Sequence, residues 1–447
     1  MPRGQLLALP RGVSAGAVVF AATIPLVFLH VRYQPSVGVG SASIKLSDAL
    51  VVLTVLAAVA AAARRGLGPL RPGLPVWITG VAWFAWVGAA VFIPLLSSRV
   101  YPWKTHLVTA GELAEYALLA PAVPLLVRRR ADALLALGTL VAWSVAATVV
   151  GLLQWLGWNI AAGWGQGHRE PSFLGTQDFA AFSGMVLGLG IVALVWRARG
   201  RLRTAAWIAL VSGVVGFALG GATSGVIGLV PAAAIALWVG ARRRLLERRA
   251  VAGVVVATLL ASLSVVVYRS GDFGQFFSFL GIKHTSAQAA KNIETYPQHT
   301  LLAYIGLRIW QHHPIVGAGF EASKDYSTFG RELPAAHRRF PHVSAKSFPS
   351  ATRIYGVQDL YAQTLADLGA VGLALLVGLF GAALWPGLAA ALRAPGPAAL
   401  PALLGVIWLV LSLGLWTAQG LIAGLPLDAV TWLGFGAVAT RAKAWAD

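Results

Sequence analysis

The stretch RRRADALLALGTLVAWSVAATVVGLLQWL (128–156) sets three adjacent arginines directly before an apolar run (132–156) long enough to cross a lipid bilayer. A bilayer core takes roughly 20 apolar residues per helix. The same pattern repeats along the chain, with apolar stretches at 12–30, 46–63, 75–97, 105–127, 132–156, 178–196, 204–220, 223–240, 250–268, 357–390, 399–418 and 427–440. Twenty of the 35 Lys and Arg residues fall into short clusters beside every second stretch: Arg3/Arg11, Arg64/Arg65/Arg71, Arg128 to Arg130, Arg197/Arg199/Arg201/Arg203, Arg242 to Arg249, Arg393 and Arg441/Lys443. Short loops rich in Lys and Arg stay cytoplasmic, so the clusters set topology as well as spans. An even number of spans puts both termini on the cytoplasmic side. Arg32 and the Arg99/Lys104 pair are the minor exceptions to the pattern.

The expected fold is therefore an all-α polytopic membrane protein with about 12 transmembrane helices and one large extracytoplasmic loop between spans nine and ten. Residues 1–268 carry spans one to nine, 269–356 form the loop, and 357–447 carry spans ten to twelve. A mean hydropathy of +0.73, with 57% hydrophobic and 11% charged residues, excludes an ordinary soluble domain. The net charge of +19 is mostly topological, and no aromatic-interleaved basic domain points to nucleic acid. The clusters would also attract the headgroups of anionic membrane lipids. With no cysteine there is neither a disulfide framework nor a thiolate site. The first span lacks a small-residue cleavage site and reads as a retained helix.

Function is expected in the outer segments, because the cytoplasmic loops are too short for a catalytic domain. One such segment is WNIAAGWGQGHREPSFLGTQ (158–177), whose tryptophans read first as interface anchors. The other is the long loop. Its start, FGQFFSFLGI (273–282), suits the membrane surface, and HTLLAYIGLRIWQH (299–312) reads as a helix ended by Pro314 and the Gly317/Gly319 turn. From 269 to 356 there are ten Lys/Arg against five Asp/Glu, a basic excess on the side where such residues are usually few. A positive vestibule suits a phosphate or pyrophosphate, and the plainer reading is a solvated loop with scattered charge. Between spans seven and eight the only break is GGATSG (220–225). It reads either as a cavity-lining turn or as close packing through small residues.

No zinc spacing, carboxylate cage or Walker loop is present, so the expected chemistry needs no metal, nucleotide or other cofactor. Glu112 and Glu115 lie one turn apart in span four. They are functional candidates by default, or structural partners of Arg99 or Lys104. Asp359 and Asp367 open span ten, where carboxylates also complement the helix dipole. Asp359 is the better chemical candidate, since it lies where the loop re-enters the membrane.

Four segments in order, REPSFLGTQDFAAF (169–182), GGATSGVIGL (220–229), RIWQHHPIVGAGF (308–320) and QDLYAQTLADLGAVGLALL (358–376), resemble the O-antigen ligase/Wzy polymerase family. The resemblance implies an inverting, metal-independent glycosyltransferase at the outer face of a bacterial cytoplasmic membrane. Such an enzyme takes a glycan from a polyprenyl-pyrophosphate donor and joins it to a glycan or lipid acceptor, alongside other polysaccharide assembly proteins. Outer-face arginines bind the pyrophosphate, and a His opening the helix after the loop acts as general base.

This sequence departs from the pattern at the chemistry. The family's His aligns with Gln358 and its next Asn with Asp359. Ser224 is followed by Gly225 where the family has Ser-Arg, and the Arg ahead of the Pro-x-x-Gly turn aligns with His299. Three readings stand. Asp359 takes the missing base's place; His337 or His342 reaches in from the loop; or transfer is lost and the protein binds, moves or regulates a lipid-linked glycan. A carrier would use Glu112, Glu115 and Asp178 along a path. Pyrophosphate contacts are expected from Arg169, Arg308, Arg338, Arg339 and Arg353, with Arg353 preferred, and further substrate contacts from His299 and Gln358.

Overall fold

The computed structural model describes residues 12–39, 42–97, 101–158, 160–161, 169–270, 295–421 and 426–440. The basic clusters Arg3/Arg11 and Arg441/Lys443, Arg99, His168 and the apolar start of the loop (273–282) lie outside the described residues. The chain is an all-α, multi-pass membrane protein, 78% helical, with nine helices among the described residues long and apolar enough to cross a membrane.

The helices are α1 (Ala15–Val27), α2 (Leu46–Arg65), α3 (Leu74–Phe92), α4 (Trp103–Ala117), α5 (Leu119–Leu126), α6 (Arg130–Trp155), α7 (Thr176–Val195), α8 (Arg201–Gly220), α9 (Thr223–Arg242), α10 (Arg248–Tyr268), α11 (Thr295–His312), α12 (Tyr326–Phe329), α13 (Leu333–Arg339), α14 (Leu360–Arg393), α15 (Leu400–Leu415) and α16 (Pro426–Ala439). Every one of the twelve apolar stretches carries a helix. Three are shorter than a full span or broken: α1, α16, and the fourth stretch, which divides into α4 and α5 at Leu118. Pro121 accounts for that break, since it has no N–H to offer the Ala117 carbonyl and its ring crowds that oxygen. A two-stranded hairpin, β1 (Ser36–Val39) with β2 (Ala42–Lys45), interrupts the helical pattern between α1 and α2.

Helix α7 is the axis of the bundle: 89% of its apolar window is buried, against 28% for α2 and α10. A helix that is apolar all round and buried all round belongs in a core. On the peripheral helices Leu56 and Val59 (α2), Val81 (α3), and Leu263 and Val267 (α10) stay exposed. Contiguous apolar surface of this kind is stable only against lipid tails. Helices α7 and α8 approach closely because Gly213 lies against the Leu187 backbone, where an added Cβ would sit 2.7 Å from the Leu187 Cα.

The described residues of the basic clusters between spans lie at one end of the bundle. Arg243 Nη1 donates to the Ala391 and Ala394 carbonyls at 2.9 and 2.7 Å, satisfying the C-terminal turn of α14. Arg129 Nη1 donates to Gly12 O at 3.2 Å, and Arg197 Nε to Leu245 O at 2.7 Å. The loop residues 295–356 lie at the other end, with their own apolar cluster of Leu301, Ile305, Ile309, Phe329, Ala336 and Phe348 closed on Ala366 of α14.

Helix α14 is not continuous. Gly369 has φ 68° and ψ −168°, which breaks the helix one turn below the Asp359–Asp367 face. The turn PIVGAG (314–319) docks into that break. Ala318 N donates to Ala366 O (2.8 Å), Gly319 N to Asp367 O (3.0 Å), Ala370 N to Pro314 O (2.9 Å) and Val371 N to Ile315 O (3.2 Å). The Pro-x-x-Gly-x-Gly pattern thus has a mechanical role: it clasps the entry of α14 to the loop.

Candidate functional site

Five segments far apart in sequence lie at the loop end of the bundle. Helix α8 ends at Gly221 in the left-handed conformation (φ 59°), which leaves its last carbonyls without intrahelical donors. Arg169 and Glu170, just ahead of α7, take two of them. Arg169 Nε donates to Gly220 O at 2.9 Å, and the Glu170 N–H donates to Leu219 O at 3.0 Å. Arg169 Nη2 also donates to Gln177 Oε1 at 2.8 Å, and Gln177 Nε2 donates to Ser224 Oγ at 3.1 Å. The GGATSG break is a tight turn that fixes a guanidinium in orientation, directly through the Gly220 carbonyl and indirectly through Ser224, which holds Gln177.

Arg269 closes α10 and is buried. His299, in the first turns of α11, is half-buried, and its Nδ1 lies 3.1 Å from the carbonyl oxygen of Gln358. Burial pushes the His299 imidazole below its ordinary range; the Gln358 carbonyl opposes this, and the charges of Arg269 and Arg169 push further down. Two guanidinium groups and one imidazole therefore share a positive, partly desolvated region.

Asp359 is the N-cap of α14. Its backbone is extended (φ −156°, ψ 117°) and its Oδ1 accepts from Ala362 N at 2.7 Å. Asp359→Ala should therefore cost about 1 kcal/mol of stability, while Asp359→Asn, which keeps a capping oxygen, should cost little. Denaturant titration checks both variants, and an equal loss in Asp359→Asn would mean that the carboxylate does more than cap the helix.

The remaining candidates occupy the body and surface of the loop. Arg308 Nε is 3.3 Å from Glu332 Oε2, its Nη1 donates to Gln311 Oε1 at 3.0 Å, and His312 Nδ1 lies 3.0 Å from the other Glu332 oxygen. Glu332 is 3% exposed, so Arg308 balances a buried carboxylate. His337, Arg338, Arg339, His342 and Arg353 are exposed. His337 stacks on Phe348 with centroids 3.9 Å apart, Arg339 lies over Phe340, and Arg353 reaches the Lys346 and Ala345 carbonyls at 3.3 Å. The structure thus sets His299 against Gln358, beside the Asp359 cap, with the charge of Arg169 acting on the same ring. It sets Arg308, His337, Arg338, Arg339, His342 and Arg353 elsewhere in the loop.

Sequence reasoning passed over Arg269 and Gln177. Arg269 reads as nothing more than the boundary of a span, and Gln177 is one polar residue in a loop. Gln363 was likewise given no role. Gln363 is fully buried and donates from Nε2 to Glu321 Oε1 and Asp367 Oδ2, each at 3.0 Å, while its Oε1 accepts from Leu421 N. Ser323 N donates to Asp367 Oδ1 at 2.8 Å, and Lys324 pairs with Glu321. On the far side His106 Nε2 is 3.3 Å from Asp325 Oδ2 and stacks on Tyr101, whose hydroxyl donates to Phe320 O. This network ties loop residues 320–325 to α4 and α14. The spacing of Gln363 and Asp367, four residues apart on one helix face, was its one sequence signal. In span four, Glu112 pairs with Lys45 at 3.8 Å rather than with Lys104.

No protein-family model and no curated protein matches the chain. What the cluster can do follows from its chemistry. Two guanidinium groups suit a phosphate or pyrophosphate with bidentate, charge-assisted hydrogen bonds. A half-buried imidazole beside them suits proton transfer.

Proposed function

We propose that the protein transfers a glycan from a polyprenyl-pyrophosphate donor to an acceptor hydroxyl, in the manner of the O-antigen ligase/Wzy polymerase family its motifs resemble. The observations that carry this reading are Arg169 held by the Gly220 carbonyl at the end of α8 and His299 held by the Gln358 carbonyl, with the charges of Arg169 and Arg269 acting on the His299 ring. The loop end of the bundle is opposite the basic clusters, which the positive-inside rule assigns to the cytoplasm. The site then faces the outside of the bacterial cytoplasmic membrane, where lipid-linked glycans are consumed.

The arginines act on the leaving group. As the anomeric C–O bond breaks, negative charge grows on the pyrophosphate oxygen, and fixed guanidinium donors in a partly desolvated site stabilise that growth more than they stabilise the intact donor. No step in this scheme calls on a metal or a nucleotide.

Mass spectrometry of polyprenyl-linked glycans from cells with and without the gene tests the reading. Accumulation of finished donor at the outer face, with loss of long surface polymer, is the expected result. Accumulation confined to the inner face would replace transfer with carriage, and unchanged donor and polymer would remove both.

A further inference from the structure

We propose that His299 is the general base of the glycan transfer, acting through Nε2, with Gln358 as the residue that orients it. This assignment rests on the transferase reading of the site and adds the identity of the proton acceptor.

A carbonyl oxygen only accepts hydrogen bonds, so the ring nitrogen 3.1 Å from that of Gln358, Nδ1, must carry a hydrogen and donate it. In the neutral ring the lone pair then resides on Nε2, on the opposite edge. This is the arrangement a base requires: one nitrogen held by a fixed acceptor, the other able to take a proton. Gln358 occupies the position at which the motif resemblance places the missing His. Here the side chain at 358 has lost the imidazole, while the backbone at 358 orients an imidazole supplied by α11.

The charged groups around His299 favour its neutral form. Burial opposes protonation most; the Gln358 carbonyl favours it, and Arg269 at the end of α10 and Arg169 ahead of α7 oppose it further, so the net shift is downward. Asp359, one residue beyond Gln358, directs its Oδ1 to the Ala362 N–H as a helix cap. His299 therefore remains unprotonated at neutral pH, as a base must. The other candidate histidines, His337 and His342, are exposed on the loop, and His337 is stacked on Phe348.

The step balances as follows. The acceptor hydroxyl oxygen forms a bond to the anomeric carbon of the donor sugar, from the face opposite the leaving group. The bond from that carbon to the pyrophosphate oxygen breaks, and its electron pair leaves with polyprenyl pyrophosphate beside Arg169 and Arg269. The hydroxyl proton passes to Nε2, and the imidazolium, destabilised by the two guanidinium charges, returns it to solvent.

Two substitutions separate a base from a structural histidine. His299→Asn places an amide N–H where Nδ1 stands, so it keeps the hydrogen bond to Gln358 O and removes Nε2. His299→Gln reaches toward the Nε2 position and gives up the Nδ1 bond. The full chain in lipid nanodiscs is assayed for release of polyprenyl pyrophosphate, using lipid-linked glycan isolated from cells lacking the gene as donor. Binding of polyprenyl pyrophosphate alone is measured in parallel.

We expect both variants to bind polyprenyl pyrophosphate within about threefold of wild type and to turn over ~10²–10⁴-fold more slowly. The wild-type rate should fall on the acid side, with a midpoint below 6.5, the ordinary value for a histidine, because the neutral ring is the active form. The residual rate of His299→Asn should lack that acid limb. Turnover of folded His299→Asn near the wild-type rate, or an unchanged acid limb, overturns the assignment while leaving the transferase reading intact. Failure of the wild-type protein itself to release polyprenyl pyrophosphate removes that reading, and the role of His299 with it.

Discussion

Arg169→Gln is expected to lower the proposed transfer by ~10²–10³-fold while leaving a folded protein, the usual scale for removing one preorganised donor to a developing anion. The structural cost is small because the replaced bonds, to Gly220 O and Gln177 Oε1, sit at a helix end and each contributes about 1 kcal/mol. The catalytic cost is large because the guanidinium is oriented before substrate arrives. Its Nε and Nη2 are held by a backbone carbonyl and a side-chain amide that is itself held by Ser224. A lysine cannot reproduce that fork, so Arg169→Lys should stay down by about tenfold or more despite retaining the charge. Because the intact donor already carries a charged pyrophosphate, KM should rise as well as kcat fall. Steady-state kinetics on nanodisc-embedded protein measures the split. A rise in KM with kcat unchanged would mean that Arg169 binds the donor but does nothing for the leaving group.

The same experiment on Arg353 marks the contrast between sequence and structure. Arg353 was the preferred pyrophosphate contact because it lies nearest in sequence to the entry of α14. In space it is exposed and turned to the carbonyls of Lys346 and Ala345. Its replacement by Ala should alter kcat/KM by no more than about twofold, as surface changes away from a site generally do.

What sequence could supply was set by periodicity and charge. The twelve apolar stretches and their basic punctuation are local properties, and each stretch proved helical. The break in the fourth was readable from Pro121, and the cap at Asp359 from an Asp three residues before Ala362. The site was legible only in pieces. Arg169 and His299 lie far apart in the chain, and nothing in either neighbourhood announces that α8 ends in a left-handed turn beneath the first, or that the Gln358 carbonyl abuts the second. Arg269 carried no signal at all, because a basic residue at the end of a span is ordinary. Those facts belong to tertiary packing, and a lone chain has no local property that encodes them. The hairpin at 36–45 was missed for a related reason, since two four-residue strands add little to a helical pattern.

Gly369→Ala should be among the most damaging single-methyl changes at the described residues. The backbone there has φ 68° with ψ −168°, a conformation closed to residues with a Cβ and costing ~1–3 kcal/mol to impose. The added carbon would also meet the Ile315 carbonyl oxygen at 2.2 Å and the Gly317 nitrogen at 2.5 Å. Both neighbours are backbone, so relief requires the 314–319 turn to move and its four hydrogen bonds to α14 to weaken. Together these effects amount to about 4 kcal/mol, at the upper end of single-residue changes. The same helix supplies the control. Gly378 and Gly381 have open space where a Cβ would go, and alanine there should be neutral or stabilising by up to about 1 kcal/mol. Denaturant titration in mixed micelles compares the three variants directly. Activity should fall with Gly369→Ala well before global unfolding, because the clasp that the methyl opens holds Gln358 and Asp359 in place. If Gly369→Ala matches the two controls in both stability and turnover, the PIVGAG turn is not what positions the entry of α14.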